Sequence, residues 1–415
     1  MEVAIFKICK IIEFDYAFDS IKKSLEAKFS TKGGGVLEKN YKAIELVKDN
    51  YREVTIPDKE YSDISFKTKG MFDVLNHRLG NTLPVSAFSD MANGKTIPGT
   101  TQTEKRYAST VAPHCNKENC IMCNMCSFVC PHSVIRPYLL TMDEYEQAPD
   151  YIKENAQDAN IKGEKLKFIV MSSIADCTGC GLCEKVCPGK LGKKAITMDN
   201  VNELKGEGYI EALDYVQNIV TNKTPLPKTM VKGTQFYEPK IKFPGACAGC
   251  GETPYLKLMS QLFGDRLVVA NATGCSSIYS SSFPSTAYTS PWANSLFEDN
   301  AEFGYGMYTA DQTMKERIKN VIYDKLDEAK DEELELYDNY LAKQEEADVK
   351  LYDYVKEHKT KGLYELRNFI KEKTFFIVGG DGWAYDIGFS GIDHVLASGP
   401  NVNILVLDTE VYSNT

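Results

Sequence analysis

The sequence has no excess of positive charge. It contains 48 Lys and Arg against 58 Asp and Glu, which gives a formal net charge of −10. Proteins that bind nucleic acid neutralise backbone phosphates with clustered Lys and Arg, and this chain lacks that basic footprint. Nucleic acid is therefore excluded as an expected partner.

Long apolar runs are also missing. No run approaches the roughly 18 residues that a membrane-spanning helix needs. The first residues, MEVAIFKICKIIEF, carry Glu2, Lys7 and Lys10 inside their apolar stretch, unlike a signal peptide. We therefore expect a soluble, cytoplasmic protein with no membrane partner.

What the chain does have is cysteine, 13 residues in all. The same pattern, C-x-x-C-x-x-C-x-x-x-C-P, occurs twice, at Cys120, Cys123, Cys126, Cys130 and Pro131, and at Cys177, Cys180, Cys183, Cys187 and Pro188. Three cysteines at intervals of three bring their thiolates round one iron–sulfur cube, while the fourth can ligate the neighbouring cube. The predicted 4Fe-4S ligation is therefore crossed: Cys120, Cys123, Cys126 and Cys187 for one cluster, and Cys177, Cys180, Cys183 and Cys130 for the other.

Other interpretations of these cysteines explain less. A zinc site prefers two ligand pairs with a longer gap, and a disulfide framework prefers a short secreted chain. The two blocks look like the halves of a bacterial-type ferredoxin, and the long loop between them indicates a module embedded in something larger. Cys9 and Cys115 lie outside the spacing, so we interpret them as structural residues that act as small hydrophobes. Because exposed thiolate clusters are destroyed by oxidation, the cysteines also predict a reducing, anaerobic setting.

A third cysteine block follows further along the chain. Cys247-x-x-Cys250 precedes a helical pattern, the strand-like LVVANAT and Cys275. A lone CxxC fits a redox dithiol, zinc or a cluster. Cys275 favours a ligand set, because ligands gather at the carboxyl ends of strands in an open α/β sheet. Three ligands do not complete a cube, so the site is open or its fourth cysteine lies beyond residue 415.

The last block pairs glycines with acidic residues at two strand ends. A predicted buried strand, 375–378, ends in Gly379-Gly380-Asp381-Gly382, and a second, 404–407, ends in Asp408-Thr409-Glu410 and then Asn414. Glycines at a strand end let the backbone approach a diphosphate, and a carboxylate there can hold Mg²⁺. This combination is typical of thiamine diphosphate sites, whereas the spacing does not fit a dinucleotide-binding G-x-G-x-x-G loop.

The remaining patterns suggest the domain order. Residues 1–10 read as a short strand, and 14–29 and 36–51 as helices, while 312–373 reads as solvated helices. We predict an α/β protein with an embedded α+β ferredoxin-like module and a doubly wound thiamine diphosphate-binding domain cut short at its C-terminus. The predicted domains are 1–54, the end of an α/β domain, which the family resemblance described next identifies as γ-like; 55–112, a linker; 113–228, the module with two 4Fe-4S clusters; and 229–415, the incomplete cofactor-binding domain.

Taken together, these blocks closely resemble the pyruvate:ferredoxin (flavodoxin) oxidoreductase, or pyruvate synthase, family. The matching text is PVSAF, PGTTQ, ENCIMCNMCSFVCPH, CTGCGLCEKVCP, GACAGCGETPYLKL, ATGCSSIY, NSLFEDNAEFG, GGDGWAYDIGFSGIDHVLASG and DTEVYSNT. The resemblance implies that Cys247, Cys250 and Cys275 hold the cluster nearest the cofactor. It further implies that Asp381, Thr409 and the Val411 carbonyl bind Mg²⁺, that Gly380, Asp381, Gly382, Glu252 and Asn414 bind thiamine diphosphate, and that Asn414 is catalytic.

The family reaction implied by this resemblance oxidises pyruvate with coenzyme A to acetyl-CoA and CO₂ and passes electrons through 4Fe-4S clusters to ferredoxin or flavodoxin, in a homodimer. Because the chain lacks the family's N-terminal domains and ends before the expected fourth cysteine, we expect an internal fragment that is inactive alone. Two alternatives stay open: a related 2-oxoacid oxidoreductase or NADP-linked fusion, and a non-catalytic polyferredoxin electron carrier.

Overall fold

The structure of the chain, a computed structural model, describes residues 2–31, 35–50, 70–92, 96–206, 208–329 and 331–410. The chain divides into two units, Met1–Thr68 and Lys69–Thr415, which we take in turn. Within the described ranges, no helix is both long and apolar enough to cross a membrane.

The described part of the first unit consists of helices. They are α1 (Glu2–Cys9), α2 (Phe14–Phe29) and α3 (Val36–Asp49). The two helices predicted from apolar spacing are confirmed as α2 and α3, whereas the predicted strand over residues 1–10 is wrong. The reason is packing: α1 lies against both α2 and α3 and buries Val3, so its β-branched residues are accommodated in a helix.

Two antiparallel sheets begin the second unit. The strands are β1 (Val111–Cys115), β2 (Ile135–Leu140), β3 (Gln157–Ile161), β4 (Glu164–Ser172) and β5 (Ile196–Asn200). The helices are α4 (Met71–Asn76), α5 (Met125–Phe128), α6 (Met142–Glu146), α7 (Asp150–Asn155), α8 (Leu182–Val186), α9 (Val201–Lys205) and α10 (Tyr209–Asn218). β1 pairs with β5, and β4 lies between β2 and β3. Since β1 precedes the first cysteine motif and β5 follows the second, their pairing brings the two motifs together.

The core of this part is tied to α10 by a buried hydroxyl. The Tyr209 hydroxyl accepts a hydrogen bond from the Ser172 N–H at 2.8 Å and donates one to the Ser172 carbonyl at 3.1 Å. A buried hydroxyl needs such partners, because an unpaired one costs about 1–3 kcal/mol. The segment VNELKGEGYIEALDYVQNIV, whose apolar residues recur at helical spacing, forms α9 and α10.

A parallel sheet follows. Its strands are β6 (Leu267–Ala272), β7 (Trp292–Ser295), β8 (Thr374–Gly380) and β9 (Asn403–Leu407), in the order β7-β6-β8-β9. The helices are α11 (Val231–Thr234), α12 (Thr253–Phe263), α13 (Cys275–Ser281), α14 (Asn300–Lys325), α15 (Asp331–Leu341), α16 (Ala347–His358) and α17 (Phe389–Ser398). The predicted strands at LVVANAT, 375–378 and 404–407 are confirmed as β6, β8 and β9. A one-turn π-helix, Trp383–Ile387, precedes α17.

Both faces of the parallel sheet are covered. On β8, Val378 packs into a cluster with Leu256 of α12, whereas the next residue back, Ile377, packs with Ala301 of α14 and Val395 of α17. Successive residues of a strand point to opposite faces, so the sheet lies between two helical layers. The carboxyl ends of β6, β8 and β9 consequently meet at one edge, where Cys275, Asp381 and Thr409 follow them.

The charged region 312–373 is helical as predicted, but its helices also share a core of their own. The fully buried side chains are Ile318, Ile322, Tyr337, Leu351, Val355, Leu363 and Ile370. This part of the chain is therefore a packed helical subdomain and not only a solvated surface.

The substitution Gly379→Ala tests how tightly β8 is packed near the sheet edge. A Cβ added to Gly379 would lie 2.4 Å from Cε3 of Trp383 and 2.8 Å from the Cβ of Ala272, and Trp383 is fully buried. We expect a destabilisation of about 1–3 kcal/mol, measured as a lower urea midpoint. Gly306→Ala is the matched control: the space around Gly306 in α14 is open, so alanine there should be neutral or stabilising. Equal midpoints for the two variants would contradict this account.

Candidate functional site

The two repeated cysteine motifs share one local backbone. The second and fourth residues after the first cysteine have positive φ in both: Met122 (55°) and Asn124 (63°) in one, and Gly179 (68°) and Gly181 (72°) in the other. Asn124 and Gly181 then begin equivalent short helices, α5 and α8. The conformation that glycine adopts without strain is thus imposed on Met122 as well. This repeat wraps each run of three cysteines around its own centre.

One predicted ligand set lines a single cavity. Cys130, Cys177, Cys180 and Cys183 all border one small cavity of about 20 Å³ beside β2. Burial raises the pKa of the Cys177 thiol to about 11 and that of Cys183 to about 12. Metal ligation requires thiolates, so a positively charged metal centre would be needed to keep these sulfurs deprotonated.

Backbone amides point at the sulfurs of this set. The Gly179 N–H donates to the Cys177 sulfur at 3.4 Å, and the Val134 N–H donates to the Cys130 sulfur at 3.3 Å. Hydrogen bonds of this kind stabilise negative charge on cluster sulfurs and contribute to the reduction potential.

The other predicted set gathers around α5. It comprises Cys120, Cys123, Cys126 and Cys187, of which Cys126, Cys120 and Cys187 belong to one apolar cluster that also includes Cys130 and Cys183. Cys126 is buried, which raises its pKa, and neighbouring charges on Cys120, on Cys183 of the cavity set and on Cys123 raise it further. Amides donate here too, from Met122 to Cys120 at 3.5 Å and from Ala195 to Cys187 at 3.2 Å.

Cys115 lies closer to this set than the sequence indicated. A hydrogen bond between the Cys115 and Cys120 side chains lowers the pKa of Cys120 and raises that of Cys115, which also lies near Cys126 and Cys187. Interpreting Cys115 as a small hydrophobe therefore missed a polar contact. Its position five residues before Cys120 could not reveal it, because the contact depends on how β1 leads into the motif.

Among the residues that the structure describes, no three His, Cys, Asp or Glu side chains converge closely enough to hold a single metal ion. His114, which flanks the first motif, pairs with Asp199, with its Nδ1 2.9 Å from the carboxylate oxygen.

His132 connects one motif to the third cysteine block. Its buried ring lies with Nε2 3.0 Å from the Ala246 carbonyl oxygen and Nδ1 3.4 Å from the Thr178 hydroxyl. Burial lowers the pKa of His132, so the neutral ring is favoured, with Nε2–H donating to the carbonyl. Close by, a Cβ added to Gly249 would lie 3.7 Å from the Cβ of Cys180. The Cys247–Cys250 loop thus lies next to Cys180 of the cavity set.

The third block lies on a larger cavity at the carboxyl edge of the parallel sheet. Its volume is about 790 Å³, and Cys247, Cys250, Cys275, Glu252 and Thr409 are among the residues that line it. Cofactor pockets commonly measure about 300–1,000 Å³. The structure therefore places all three cysteines of the third block on one space large enough for a cofactor.

Acidic groups lie at the same edge. The Tyr279 hydroxyl donates to Glu252 Oε2 at 3.1 Å, and burial raises the pKa of Glu252, with a further increase from the charge of Asp381. The Thr409 N–H lies 3.0 and 3.1 Å from the two carboxylate oxygens of Asp381.

Of the other residues predicted to bind the cofactor or Mg²⁺, two are described by the structure and two are not. Gly380 ends β8, and Gly382 immediately precedes the π-helical turn. Val411 and Asn414 lie outside the described residues.

Comparison with known proteins agrees with this picture. The family model described as a 4Fe-4S dicluster domain matches residues 116–191, which include both repeated motifs. The chain is 40% identical to the pyruvate-flavodoxin oxidoreductase of Klebsiella pneumoniae and 40% identical to the pyruvate:ferredoxin oxidoreductase of Moorella thermoacetica, in each case over all of this chain. The chain is a relative of the pyruvate:ferredoxin and pyruvate-flavodoxin oxidoreductases.

The chain spans only part of the length of these oxidoreductases. The chain spans 37% of the length of the Klebsiella enzyme and 38% of that of the Moorella enzyme. It is also 32% identical to a pyruvate dehydrogenase [NADP(+)] of Cryptosporidium parvum, of which it spans 26%. The iron–sulfur domain and the parallel sheet both fall within the stretch that is similar to the pyruvate:ferredoxin oxidoreductases.

Proposed function

We propose that this chain supplies two parts of a pyruvate:ferredoxin oxidoreductase. One is a relay of iron–sulfur clusters that carries electrons, and the other is the carboxyl edge of the parallel sheet, where thiamine diphosphate binds. Such an enzyme converts pyruvate and coenzyme A to acetyl-CoA, CO₂ and a proton and releases two electrons, which pass to ferredoxin or flavodoxin. The names of the relatives support the reaction class and the acceptors. The observation that carries the proposal is the cavity lined by four cysteines from both motifs.

Two observations support an order for the proposed relay. The cavity set lies beside the Cys247–Cys250 loop through Gly249 and His132, and Cys126 of the other set is near Cys183 of the cavity set. We therefore place the cavity set in the middle and the Cys126 set at the distal, acceptor end. Electrons would enter from the third block.

The cofactor edge fits the group it is proposed to hold. Thiamine diphosphate supplies the carbanion-stabilising chemistry for decarboxylation when bound. Asp381 and Thr409 offer oxygen ligands of the kind that Mg²⁺ prefers, and the Val411 carbonyl is the proposed third. Glu252, with its raised pKa, can carry a proton on a carboxyl that faces the cavity. Gly380, Gly382 and Asn414 complete the proposed cofactor contacts in a doubly wound domain.

Anaerobic iron and sulfide analysis with EPR on the reconstituted chain tests the proposal. About eight irons and two interacting 4Fe-4S signals are expected, since two four-cysteine sets are complete. About twelve would show that the third block also holds a cluster in this chain. Fewer than four irons, or bound zinc, would overturn the proposal.

A further inference from the structure

A buried lysine connects the third block to the two cysteine motifs. Lys257 lies on α12, which begins three residues after Cys250, and the residue is only 2% exposed. Its ammonium donates to the Phe128 carbonyl oxygen at 3.0 Å and also to that of Ser127. These carbonyls end α5, where the last turn of a helix leaves acceptors without intrahelical partners.

The two carbonyls place the ammonium of Lys257 close to ligands of both proposed clusters. Ser127 and Phe128 lie between Cys126, a ligand proposed for the distal cluster, and Cys130, a ligand proposed for the middle one. Cys130 and Cys126 are the groups whose charges favour the protonated form of Lys257. Among the described residues, no carboxylate forms an ion pair with it. Its positive charge therefore acts on the two cysteine sets without neutralisation by a neighbouring acid.

A buried ammonium is costly to maintain, because it loses its hydration. Burial lowers the pKa of Lys257 to about 8, yet this value leaves the group mostly protonated at neutral pH. A neutral side chain of the same length would satisfy packing at lower cost, so the charge itself calls for an explanation.

We propose that Lys257 is a positioning residue that holds a positive charge between the two four-cysteine clusters and raises the reduction potential of both. Reduction adds a negative charge to a cluster, and a cation in a poorly solvated site stabilises that charge strongly. Because Lys257 belongs to the helix that follows the Cys247–Cys250 loop, the same contact fixes the third block against the relay. The inference rests on the proposed iron–sulfur function.

The test compares Lys257→Met, which removes the charge, with Lys257→Arg, which keeps it. The readout is the midpoint potential of each cluster, from EPR-monitored redox titration of the anaerobically reconstituted chain. In Lys257→Met we expect about tenfold less reduced cluster at a fixed potential, equivalent to about 59 mV for a one-electron couple. Lys257→Arg should titrate like the wild type. Lys350→Met, a charge loss at an exposed site on α16, should change neither potential.

Other outcomes separate the explanations. If Lys257→Met assembles both clusters at wild-type potentials, Lys257 only ties the helices together and the inference is wrong. If Lys257→Met does not fold, Lys257→Gln provides the test, because its amide can still donate to the two carbonyls but carries no charge. Lowered cluster potentials in Lys257→Gln would support the inference. Wild-type potentials would overturn it. A wild-type chain that binds no cluster would instead reject the proposed function.

Discussion

Replacing Cys130 by serine should remove one cluster and leave the other, so that the iron content falls from about eight to about four per chain. Cys130 belongs to the first motif in sequence, but its sulfur lies on the cavity of Cys177, Cys180 and Cys183. Serine is a poor ligand for cluster iron, and a 4Fe-4S cluster that is held by only three thiolates dissociates more easily from the protein. The cluster lost should therefore be the one held by the second motif, and the measurement is iron and sulfide analysis with EPR.

Double substitutions distinguish crossed from uncrossed ligation. If ligation is crossed, Cys130→Ser with Cys177→Ser removes two ligands of one cluster, and about four irons remain. Cys130→Ser with Cys120→Ser then damages both clusters, and almost no iron remains. Uncrossed ligation reverses these two results. Cys9→Ser is the control, because Cys9 is exposed on α1 and outside every proposed ligand set.

Much of the site could be predicted from the sequence, because the information is local. The cysteine spacing fixes which sulfurs lie on one turn of backbone, and the positive φ values of Gly179 and Gly181 occur where glycine was already present. Likewise, short apolar runs that end in glycine and aspartate predicted β8 and the residues at its carboxyl end. In these places the local pattern and the tertiary structure demand the same conformation.

The contacts that the sequence did not reveal are non-local. Lys257 reads as an ordinary polar residue of an amphipathic helix, and nothing near it indicates that Ser127, 130 positions away, will accept its hydrogen bond. For residues 1–10, the error was in the secondary structure. These residues were predicted to form a strand, but they form a helix that packs against α2 and α3. In both cases tertiary contacts determine the outcome, and intrinsic propensity is only a weak guide.

The residues whose contacts the sequence did not reveal lie where the third cysteine block packs against the two cysteine motifs. His132 joins the cavity set to the backbone before Cys247, and Lys257 joins the helix after Cys250 to the backbone between Cys126 and Cys130. Electron transfer requires the cluster sites to keep fixed separations. The buried polar contacts that hold α12 and its preceding loop against the ferredoxin-like part would therefore keep the proposed cluster sites at fixed separations.

The substitution Asp381→Asn should abolish Mg²⁺-dependent binding of thiamine diphosphate. Both oxygens of Asp381 face the Thr409 N–H at the end of β9, so the carboxylate is held at the sheet edge where a diphosphate would arrive. An amide keeps the size of the side chain but removes the negative charge that a hard cation requires. The loss of affinity should exceed the roughly 10–100-fold that follows removal of an outer-shell partner.

Isothermal titration of the anaerobic chain with thiamine diphosphate, with and without Mg²⁺, measures this effect. Asp393→Asn makes the same change at an exposed position on α17 and should bind like the wild type. Equal affinities of Asp381→Asn and Asp393→Asn, or wild-type binding that does not depend on Mg²⁺, would contradict the proposed metal site. Iron content provides the independent comparison: because Asp381 lies outside both four-cysteine sets, its substitution should leave about eight irons in place. Loss of cofactor binding together with intact clusters would thus assign the two functions to separate parts of the same chain.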